Sequence, residues 1–213
     1  FCMKKLFTVL FTLALVLSLA ACSQDAAGET TVIATALPAE TTAVTVPYQD
    51  GVYTVSTVDE FIAAIGPDRE IRLNEGTYDL STASTYAGET GNEWCYWEEV
   101  YDGYELVIQV TNNLTITGAG KGVTILSAAP RYAQVLRLNS CRNVSMTGFT
   151  AGHTVEPGSC VGGVIYLDYD RGVSIRDVGL YGCGVTGVSA DNCTDLTVAN
   201  SDIYECSYNG IQV

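Results

Sequence analysis

Three cysteines recur at a constant interval near the C-terminal end of this 213-residue chain. Cys160, Cys183 and Cys206 are 23 residues apart. The residues around them keep the same interval, as in the series Ile165/Val188/Ile211, Leu167/Ala190/Val213, Val173/Leu196, Ile175/Val198, Leu180/Ile203 and Tyr181/Tyr204. A fixed period of this length predicts one supersecondary unit that stacks on copies of itself.

Short alternating runs define the unit. Val173 and Ile175 alternate with polar residues, as do Leu196 and Val198 in the next repeat. Alternation over so few residues predicts strands, and Gly, Asn and Asp between the runs predict turns. Because one whole repeat separates equivalent strands, they should pair in parallel. The pattern therefore predicts a parallel β-helix with two or three strands and no helix per coil.

Earlier repeats are longer, which locates an insertion. Val144 precedes Val173 by 29 residues, and Leu114 precedes Val144 by 30. The segment from Thr150 to Gly163 is rich in glycine and other turn-forming residues, so we expect it to leave the coil as a loop. Insertions on one side of a solenoid commonly line its binding face.

The chain from about Pro47 to Val213 resembles the right-handed parallel β-helix, or pectin-lyase-like, superfamily. The resemblance implies an all-β fold, a right-handed solenoid with a short N-terminal capping helix, over residues 48–213. It implies no particular activity. The polygalacturonase motifs NTD, DD and RIK are absent, and Ala151–Thr154 matches the GHG motif only in part.

The two ends of this domain differ. Thr57 and Glu60 form a capping box before the apolar residues Phe61 and Ile62, which predicts a short helix that covers the first coil. The last residues, 209–213, fall within a predicted strand. We therefore expect either that further coils follow in a longer gene product or that this edge pairs with another molecule.

The N-terminal segment predicts export. Lys4 and Lys5 precede an apolar run that ends at Ala21, and Leu19-Ala20-Ala21-Cys22 resembles the lipobox of bacterial lipoproteins. The resemblance implies a signal peptide over 1–21, with residues 1–2 a translation artefact, and a lipid on Cys22 that anchors the chain at the outer face of a bacterial cell membrane. A plain signal peptide is the alternative. The Thr/Ala/Glu-rich residues 22–47 predict a flexible tether.

Charge narrows the range of partners. The net charge is −14, and removal of Lys4 and Lys5 with the signal peptide makes it −16 (8 Lys and Arg against 24 Asp and Glu). No basic patch is available to neutralise phosphates, so we expect no nucleic-acid partner. Polyanionic glycans should be repelled unless a cation such as Ca²⁺ bridges them.

Six cysteines remain after Cys2 and Cys22 are set aside. We interpret Cys160, Cys183 and Cys206 as one inward column of unpaired thiols, because three residues in register cannot all pair. Cys141 and Cys193 should lie two coils apart with Asp170 between them, too far to bridge. The single histidine and the absence of a CxxC motif argue against zinc.

Aromatic residues supply the binding candidates. We expect an irregular loop from Ser81 to Glu105 in which aromatic rings alternate with acids, a combination that can stack on sugar rings and accept hydroxyl hydrogen bonds. Packing on the outside of the β-helix is the alternative. Tyr181 and Tyr204 should point outward, one coil apart. The candidate glycan-binding residues are Trp94, Tyr96, Trp97, Tyr101, Tyr181 and Tyr204.

The candidates for catalysis or metal binding are weaker. Asp168 and Asp191 share a column with Asn139, where carboxylates could bind Ca²⁺ or act as an acid pair, although turn capping is the simpler role. His153 could act as a general base or be an exposed bystander. The sequence requires no cofactor, and Ca²⁺ is the one candidate.

Three functions remain open. The leading hypothesis is a surface lipoprotein that binds extracellular or host glycans. The second is a polysaccharide lyase or glycoside hydrolase whose catalytic coils are partly missing from this chain, and the third is a non-catalytic structural solenoid or adhesin that contacts proteins. Whether the protein is an enzyme is left undecided by the sequence.

Overall fold

A computed structural model describes residues 44–182 and 185–213. Within these ranges the fold is all-β apart from one α-helix, α1 (Val58–Ala64), and one 3₁₀ helix (Leu80–Thr82). The strands are β1 (Tyr48–Gln49), β2 (Val52–Val55), β3 (Arg69–Leu73), β4 (Gly76–Asp79), β5 (Cys95–Val100), β6 (Gly103–Gln109), β7 (Leu114–Thr117), β8 (Thr124–Ala128), β9 (Leu136–Asn139), β10 (Ser145–Thr147), β11 (Thr150–His153), β12 (Ile165–Asp168), β13 (Ser174–Arg176), β14 (Gly179–Tyr181), β15 (Thr186–Asp191), β16 (Thr197–Ala199), β17 (Asp202–Tyr204) and β18 (Asn209–Gln212).

The strands form three sheets that the chain visits in turn. Sheet A has the order β1-β2-β3-β7-β10-β13-β16, sheet B the order β4-β8-β11-β14-β17, and sheet C the order β5-β6-β9-β12-β15-β18. All pairs are parallel except β1–β2 and β5–β6. The fold is therefore all-β with mostly parallel sheets, an arrangement compatible with a β-helix-like solenoid.

The register follows the sequence period. Ile175 pairs with Val198 in sheet A, Leu180 with Ile203 in sheet B, and Ile165 with Val188 in sheet C. The inward residues of successive strands therefore stack into apolar columns, and most of those in the central coils are fully buried. The prediction that residues 23 positions apart are neighbours is confirmed for these pairs.

Helix α1 begins with the predicted capping box. The Glu60 amide donates to the Thr57 hydroxyl, and the Glu60 carboxylate accepts from the Thr57 amide. At the other end, carbonyls of the last turn and the C-cap accept from the Arg69 guanidinium and from the Asn92 side-chain amide. Phe61 and Ile62 are buried in the core, so the helix packs over the first strands as expected.

Two segments differ from the prediction. Thr150–His153 is not part of a loop but strand β11, which is buried on both faces, and the loop occupies only 154–164. Gly152, one of the glycines that suggested a loop, is instead needed for close packing, because a Cβ there would lie 2.4 Å from the Tyr181 ring. The stretch from Ser81 to Glu105 is irregular only before Cys95, since its second half belongs to the antiparallel hairpin β5–β6.

The predicted signal peptide, the predicted lipidation site Cys22, most of the predicted tether and Cys183 lie outside the described residues. The described residues, 44–182 and 185–213, belong to one compact unit. In the part of the chain that is described, no helix has the length and apolar character needed to cross a bilayer.

Candidate binding surface

The connections from sheet B to sheet C differ in length from coil to coil. They include residues 129–135, 154–164 and 205–208, and the turn 101–102 of the β5–β6 hairpin lies at the same corner because β6 starts there. We call these four segments the B–C loop surface. In contrast, the connections from sheet C to sheet A contain equivalent four-residue turns at 110–113, 140–143, 169–172 and 192–195, and each turn is followed by an apolar residue. We call these the C–A turns.

Backbone hydrogen bonds join the loops of successive coils. The Val161 and Gly162 amides donate to the Arg131 carbonyl at 2.8 and 2.9 Å. Val185 in turn donates to the Gly162 carbonyl, and Tyr208 donates to the Val185 carbonyl at 3.0 Å. The B–C loop surface is therefore one continuous layer, with coils about 4.8 Å apart as in any parallel sheet.

The hairpin turn is fixed to this layer by a carboxylate. Asp102 accepts hydrogen bonds from the Arg131 amide at 2.7 Å and from the Tyr132 amide at 3.1 Å. Gly103 allows close approach, because a Cβ there would lie 2.6 Å from both Pro130 and the Tyr86 hydroxyl. The hairpin tip thus holds a fixed position beside the loop of the next coil.

Exposed tyrosines concentrate on this surface. Of the seven tyrosines with more than about a third of their area exposed, four belong to these loops or border them: Tyr101, Tyr132, Tyr204 and Tyr208. Tyr101 is 86% exposed, and its ring centroid lies 4.9 Å from that of Tyr132. Amphipathic rings with a free face are suited to stacking on an apolar ligand face.

Tyr181 and Tyr204 form the predicted outward stack. Their rings are 6.1 Å apart with an interplanar angle of 28°, and the residues are register partners in β14 and β17. Tyr181 is half-buried because its ring fills the space above Gly152, whereas Tyr204 is 45% exposed. Tyr204 therefore offers the accessible face of the pair.

The side chains of the two tryptophans pack against other residues of the protein and do not project into solvent. Trp97 donates from its indole nitrogen to the Thr85 hydroxyl at 3.3 Å and meets the Tyr86 ring edge-on at 5.1 Å. Trp94 is partly buried against the core. Tyr96, on the outer face of β5, is 37% exposed. Of the six aromatic candidates, Tyr101 and Tyr204 have accessible rings at the B–C loop surface.

Tyr132 and Tyr208 also belong to this surface, although they were not among the predicted binding residues. Both follow a strand of sheet B within a few residues, in segments whose length varies between repeats. That position could have identified them, since residues in variable connections of a repeat protein tend to lie on its binding side.

A charged network covers the outer face of sheet C. The Arg137 guanidinium contacts Glu105 at 2.8 Å and Glu98 at 2.9 Å, and it lies 5.4 Å from the Tyr166 ring centroid. Glu105 also accepts from the Gln134 amide at 2.7 Å, so its carboxylate is buried with partners. The network joins strands of three successive coils and leaves little of Arg137 free for a ligand.

His153 is buried rather than exposed in a loop. Its side chain is 1% exposed at the end of β11, and its Nε2 lies 2.9 Å from the Ala133 carbonyl oxygen, to which the Nε2–H tautomer donates. Burial lowers the pKa of the imidazole. Its Nδ1 has no hydrogen-bond partner among the described residues. The loop interpretation was wrong because β11 extends through this residue.

The aspartate column has the predicted register. Asp168 pairs with Asn139 on one side and with Asp191 on the other. Asp191 accepts from the Tyr166 hydroxyl at 2.8 Å, and burial together with this carboxylate raises the pKa of Tyr166 to about 12. The described residues contain no group of three or more His, Cys, Asp or Glu arranged to hold a metal ion. His153 lies in sheet B and the two aspartates in sheet C, so register does not bring these candidates together.

The cysteines follow two patterns. Cys160 is disulfide-bonded, so the expected column of unpaired thiols is wrong at this position. Among the other described cysteines, Cys95, Cys141, Cys193 and Cys206 are free. Free Cys141 and Cys193 agree with the prediction that these two do not bridge.

Asp170 lies between Cys141 and Cys193 in an inward column. The bridges Asn112–Arg142–Arg171–Thr194 place the neighbouring residues of each C–A turn in register. The Asp170 carboxylate is 1% exposed and accepts from the Cys141 amide at 2.6 Å and from the Asp168 amide at 3.1 Å. Burial raises its pKa to about 6.

In comparisons with known proteins, no family model, no curated protein and no solved structure matches the chain.

Proposed function

We propose that residues 48–213 form a right-handed parallel β-helix capped by α1. The cyclic order of sheets A, B and C and the 23-residue register of the last coils support this proposal. The handedness rests on the general preference of parallel strand connections, about 98% of which are right-handed.

We infer that this domain binds extracellular glycan along the B–C loop surface. The observation that supports the function most strongly is the series of accessible tyrosines along one hydrogen-bonded corner: Tyr101, Tyr132, Tyr204 and Tyr208. Tyr101 and Tyr132 lie on neighbouring coils, and Tyr204 and Tyr208 lie three coils beyond Tyr132. Their rings can stack on the C–H faces of sugars at separate positions along a linear glycan that runs parallel to the coil axis. Carboxylates nearby can accept hydroxyl hydrogen bonds.

The charge of the protein selects among glycans. With a net charge of −14, the chain should repel uronate-rich polymers, and neutral glycans meet no such barrier. Calcium bridging would appear as binding of a polyuronate only when Ca²⁺ is present.

The test is a glycan array of the purified full chain with and without Ca²⁺, followed by calorimetry on the best ligand. Tyr101→Ala and Tyr204→Ala should each weaken binding about tenfold through loss of a stacking face. Tyr48→Ala is the matched control, because Tyr48 is 61% exposed on β1, away from these loops. Its affinity should equal that of the wild type.

Two results would contradict the proposal: no glycan is bound, or the Tyr48 variant loses as much affinity as the corner variants. Product release from a bound polysaccharide, detected as new reducing ends or unsaturated sugars, would instead favour the lyase or hydrolase hypothesis.

We further propose that the chain is exported and anchored by a lipid on Cys22. The charged Lys4-Lys5 pair, the apolar run and the lipobox-like Leu19–Cys22 support this. Metabolic labelling with a palmitate analogue in a bacterial host tests it: the label should be absent in Cys22→Ala, and globomycin should block processing of the wild type. Equal labelling of Cys22→Ala would contradict the anchor.

A further inference from the structure

His153 is the one histidine of the chain, and it is buried where β11 meets the B–C loop surface. One ring nitrogen, Nε2, lies 2.9 Å from the Ala133 carbonyl oxygen. The other, Nδ1, is shielded from solvent and has no hydrogen-bond partner among the described residues. This environment suits the neutral ring with its proton on Nε2, because no donor is then left unpaired.

The carbonyl that holds the imidazole belongs to the loop 129–135. Ala133 directly follows Tyr132, whose ring centroid lies 4.9 Å from that of Tyr101. A Cβ on Gly162 would overlap the same Ala133 carbonyl, so the B–C loop of the next coil packs directly against it. Ala133 is therefore a point at which β11 and two loops of the binding surface meet.

Protonation of His153 would disrupt this meeting point. The added proton would turn Nδ1 into a donor, and a buried donor without an acceptor is unfavourable. Burial of the imidazolium charge adds to the cost. Both costs are removed when the loop 129–135 moves away and the ring reaches water. The geometry therefore couples the protonation of one side chain to the position of the loop.

The charged groups around His153 do not offer an acceptor for this proton. Burial lowers the pKa of the imidazole by more than the nearby carbonyl and the Asp102 carboxylate raise it. Asp102 already accepts from two amides of the loop, at 2.7 and 3.1 Å. Arg131 and Glu156, the charged residues of the two adjoining loops, are exposed, and Glu105 is engaged in an ion pair. Strand β8 and the rest of β11 contain no Asp, Glu, Lys or Arg.

We propose that His153 makes the B–C loop surface sensitive to pH: the neutral imidazole holds the loop 129–135 in place, and protonation in mild acid opens this loop and weakens glycan binding. The weakening of glycan binding rests on the function proposed above, whereas the opening of the loop does not.

The direction of the effect follows from linkage between protonation and opening. The open loop exposes an imidazole with the ordinary pKa of 6.5, whereas the closed loop holds one with a lower pKa. The closed loop is therefore fully stabilised above about pH 6.5 and loses stability as the pH falls below that value. Between pH 7.5 and pH 5.0, the equilibrium constant for opening should rise by up to about 30-fold.

The experiment is hydrogen–deuterium exchange on the untagged full chain without glycan at pH 7.5 and pH 5.0, with rates corrected for the intrinsic pH dependence of exchange. We expect the protection factors of residues 129–135 to be about threefold to 30-fold lower at pH 5.0. Those of the C–A turn 110–113 should stay within about twofold. Local exchange separates this opening from the titration of Asp170, which changes the stability of the whole fold.

Two variants assign the effect to the imidazole. His153→Gln should remove the pH dependence, because the glutamine amide can donate to the Ala133 carbonyl but does not titrate. Asp170→Asn is the matched control, since it removes a buried titratable group in a C–A turn, and it should keep the response of the wild type in residues 129–135.

A second measurement needs no variant. Because the chain has one histidine, ¹³C labelling of histidine gives a single imidazole signal in NMR spectra, and its titration reports His153 alone. We expect its midpoint to lie below pH 6.5. A midpoint at or above pH 6.5 would contradict the neutral buried ring and overturn the proposal.

The proposal is also overturned if the protection of residues 129–135 is the same at both pH values, or if His153→Gln loses protection in acid as the wild type does. A glycan that binds at pH 7.5 should bind at least about threefold more weakly at pH 5.0, and equal affinities would contradict the regulation of binding. Loop opening in acid with no glycan bound at either pH would support the pH sensitivity of the loop and contradict only the function proposed above.

Discussion

The two corners of sheet C are built in opposite ways. Every C–A turn has the same four positions, and its first and last residues have positive φ, at Val110/Asn113, Ser140/Asn143, Tyr169/Gly172 and Asn192/Asp195. The B–C connections share no such pattern, since their lengths vary and they hold a hairpin, a disulfide-bonded cysteine and most of the exposed tyrosines.

The difference shows which corner sets the register and which one can vary. In the C–A turns, isolated bridges and the buried Asp170 carboxylate satisfy backbone groups that no strand partner reaches. An insertion or deletion in a C–A turn would change the register of each later strand. In the B–C loops, backbone bonds between coils remain while side chains and lengths differ, so this corner can acquire a ligand surface at little cost in stability.

Insertions of a single glycine test this contrast with the largest expected effect. One glycine between Cys141 and Arg142 should abolish cooperative folding or cost more than about 3 kcal/mol, because a shift of one residue reverses inward and outward faces. The measurement is urea unfolding followed by circular dichroism. One glycine after Gly158, whose surroundings are open, is the matched control and should cost less than about 1 kcal/mol. Equal losses would remove the distinction between the corners.

Reduction of the Cys160 disulfide should have the next largest effect. A cross-link of this kind contributes about 2–4 kcal/mol, mainly by restricting the unfolded chain. A reductant should therefore lower the Tm of the wild type and leave the Tm of Cys160→Ser unchanged. Cys206→Ser, which replaces a free thiol, should keep the response of the wild type. A wild-type Tm insensitive to reductant would show that this bond adds nothing to stability.

Asp170, in a C–A turn, should make the free energy of unfolding depend on pH. The size of this effect should be similar to that of the Cys160 disulfide or smaller. Its folded pKa of about 6 exceeds the ordinary value of 3.8, so the folded state holds the proton more tightly. The free energy of unfolding should fall as the pH rises from about 4 to about 6, by up to about 3 kcal/mol, and level off above that.

The measurement is a series of urea midpoints across this pH range. Asp170→Asn should flatten the decline, although it also loses one backbone acceptor. Asp177→Asn, at an exposed turn residue with positive φ that asparagine tolerates, should leave the profile of the wild type unchanged. A rise in stability over the same interval would contradict the assignment to Asp170.

Periodicity predicted the sheets well and the loops poorly. The columns through Ile165, Ile175 and Leu180 follow from alternation and a constant repeat, because each inward position has a neighbour of the same kind one coil away. The outward Tyr181–Tyr204 stack follows from the same logic. The capping box at Thr57 was equally local and equally predictable.

Insertions interrupt the 23-residue period, and the prediction of secondary structure was wrong in the segments that contain them. The sequence pattern places Gly152 in a loop, yet it is a strand position that makes room for the Tyr181 ring. The hairpin β5–β6 has no repeat partner from which to infer it. The position of the loop before β5 depends on Asn92, which donates to carbonyls at the end of helix α1 that lie 27 and 30 residues earlier in the chain. Contacts of that range leave no local pattern.

Hydrogen–deuterium exchange on the full chain with its best glycan ligand tests the central claim most directly. We predict that the glycan slows exchange in residues 99–105, 129–135, 154–164 and 205–208, and leaves the C–A turns 110–113, 140–143, 169–172 and 192–195 as they were. Protection confined to the C–A turns, or equal protection at both corners, would contradict glycan binding along the B–C loop surface.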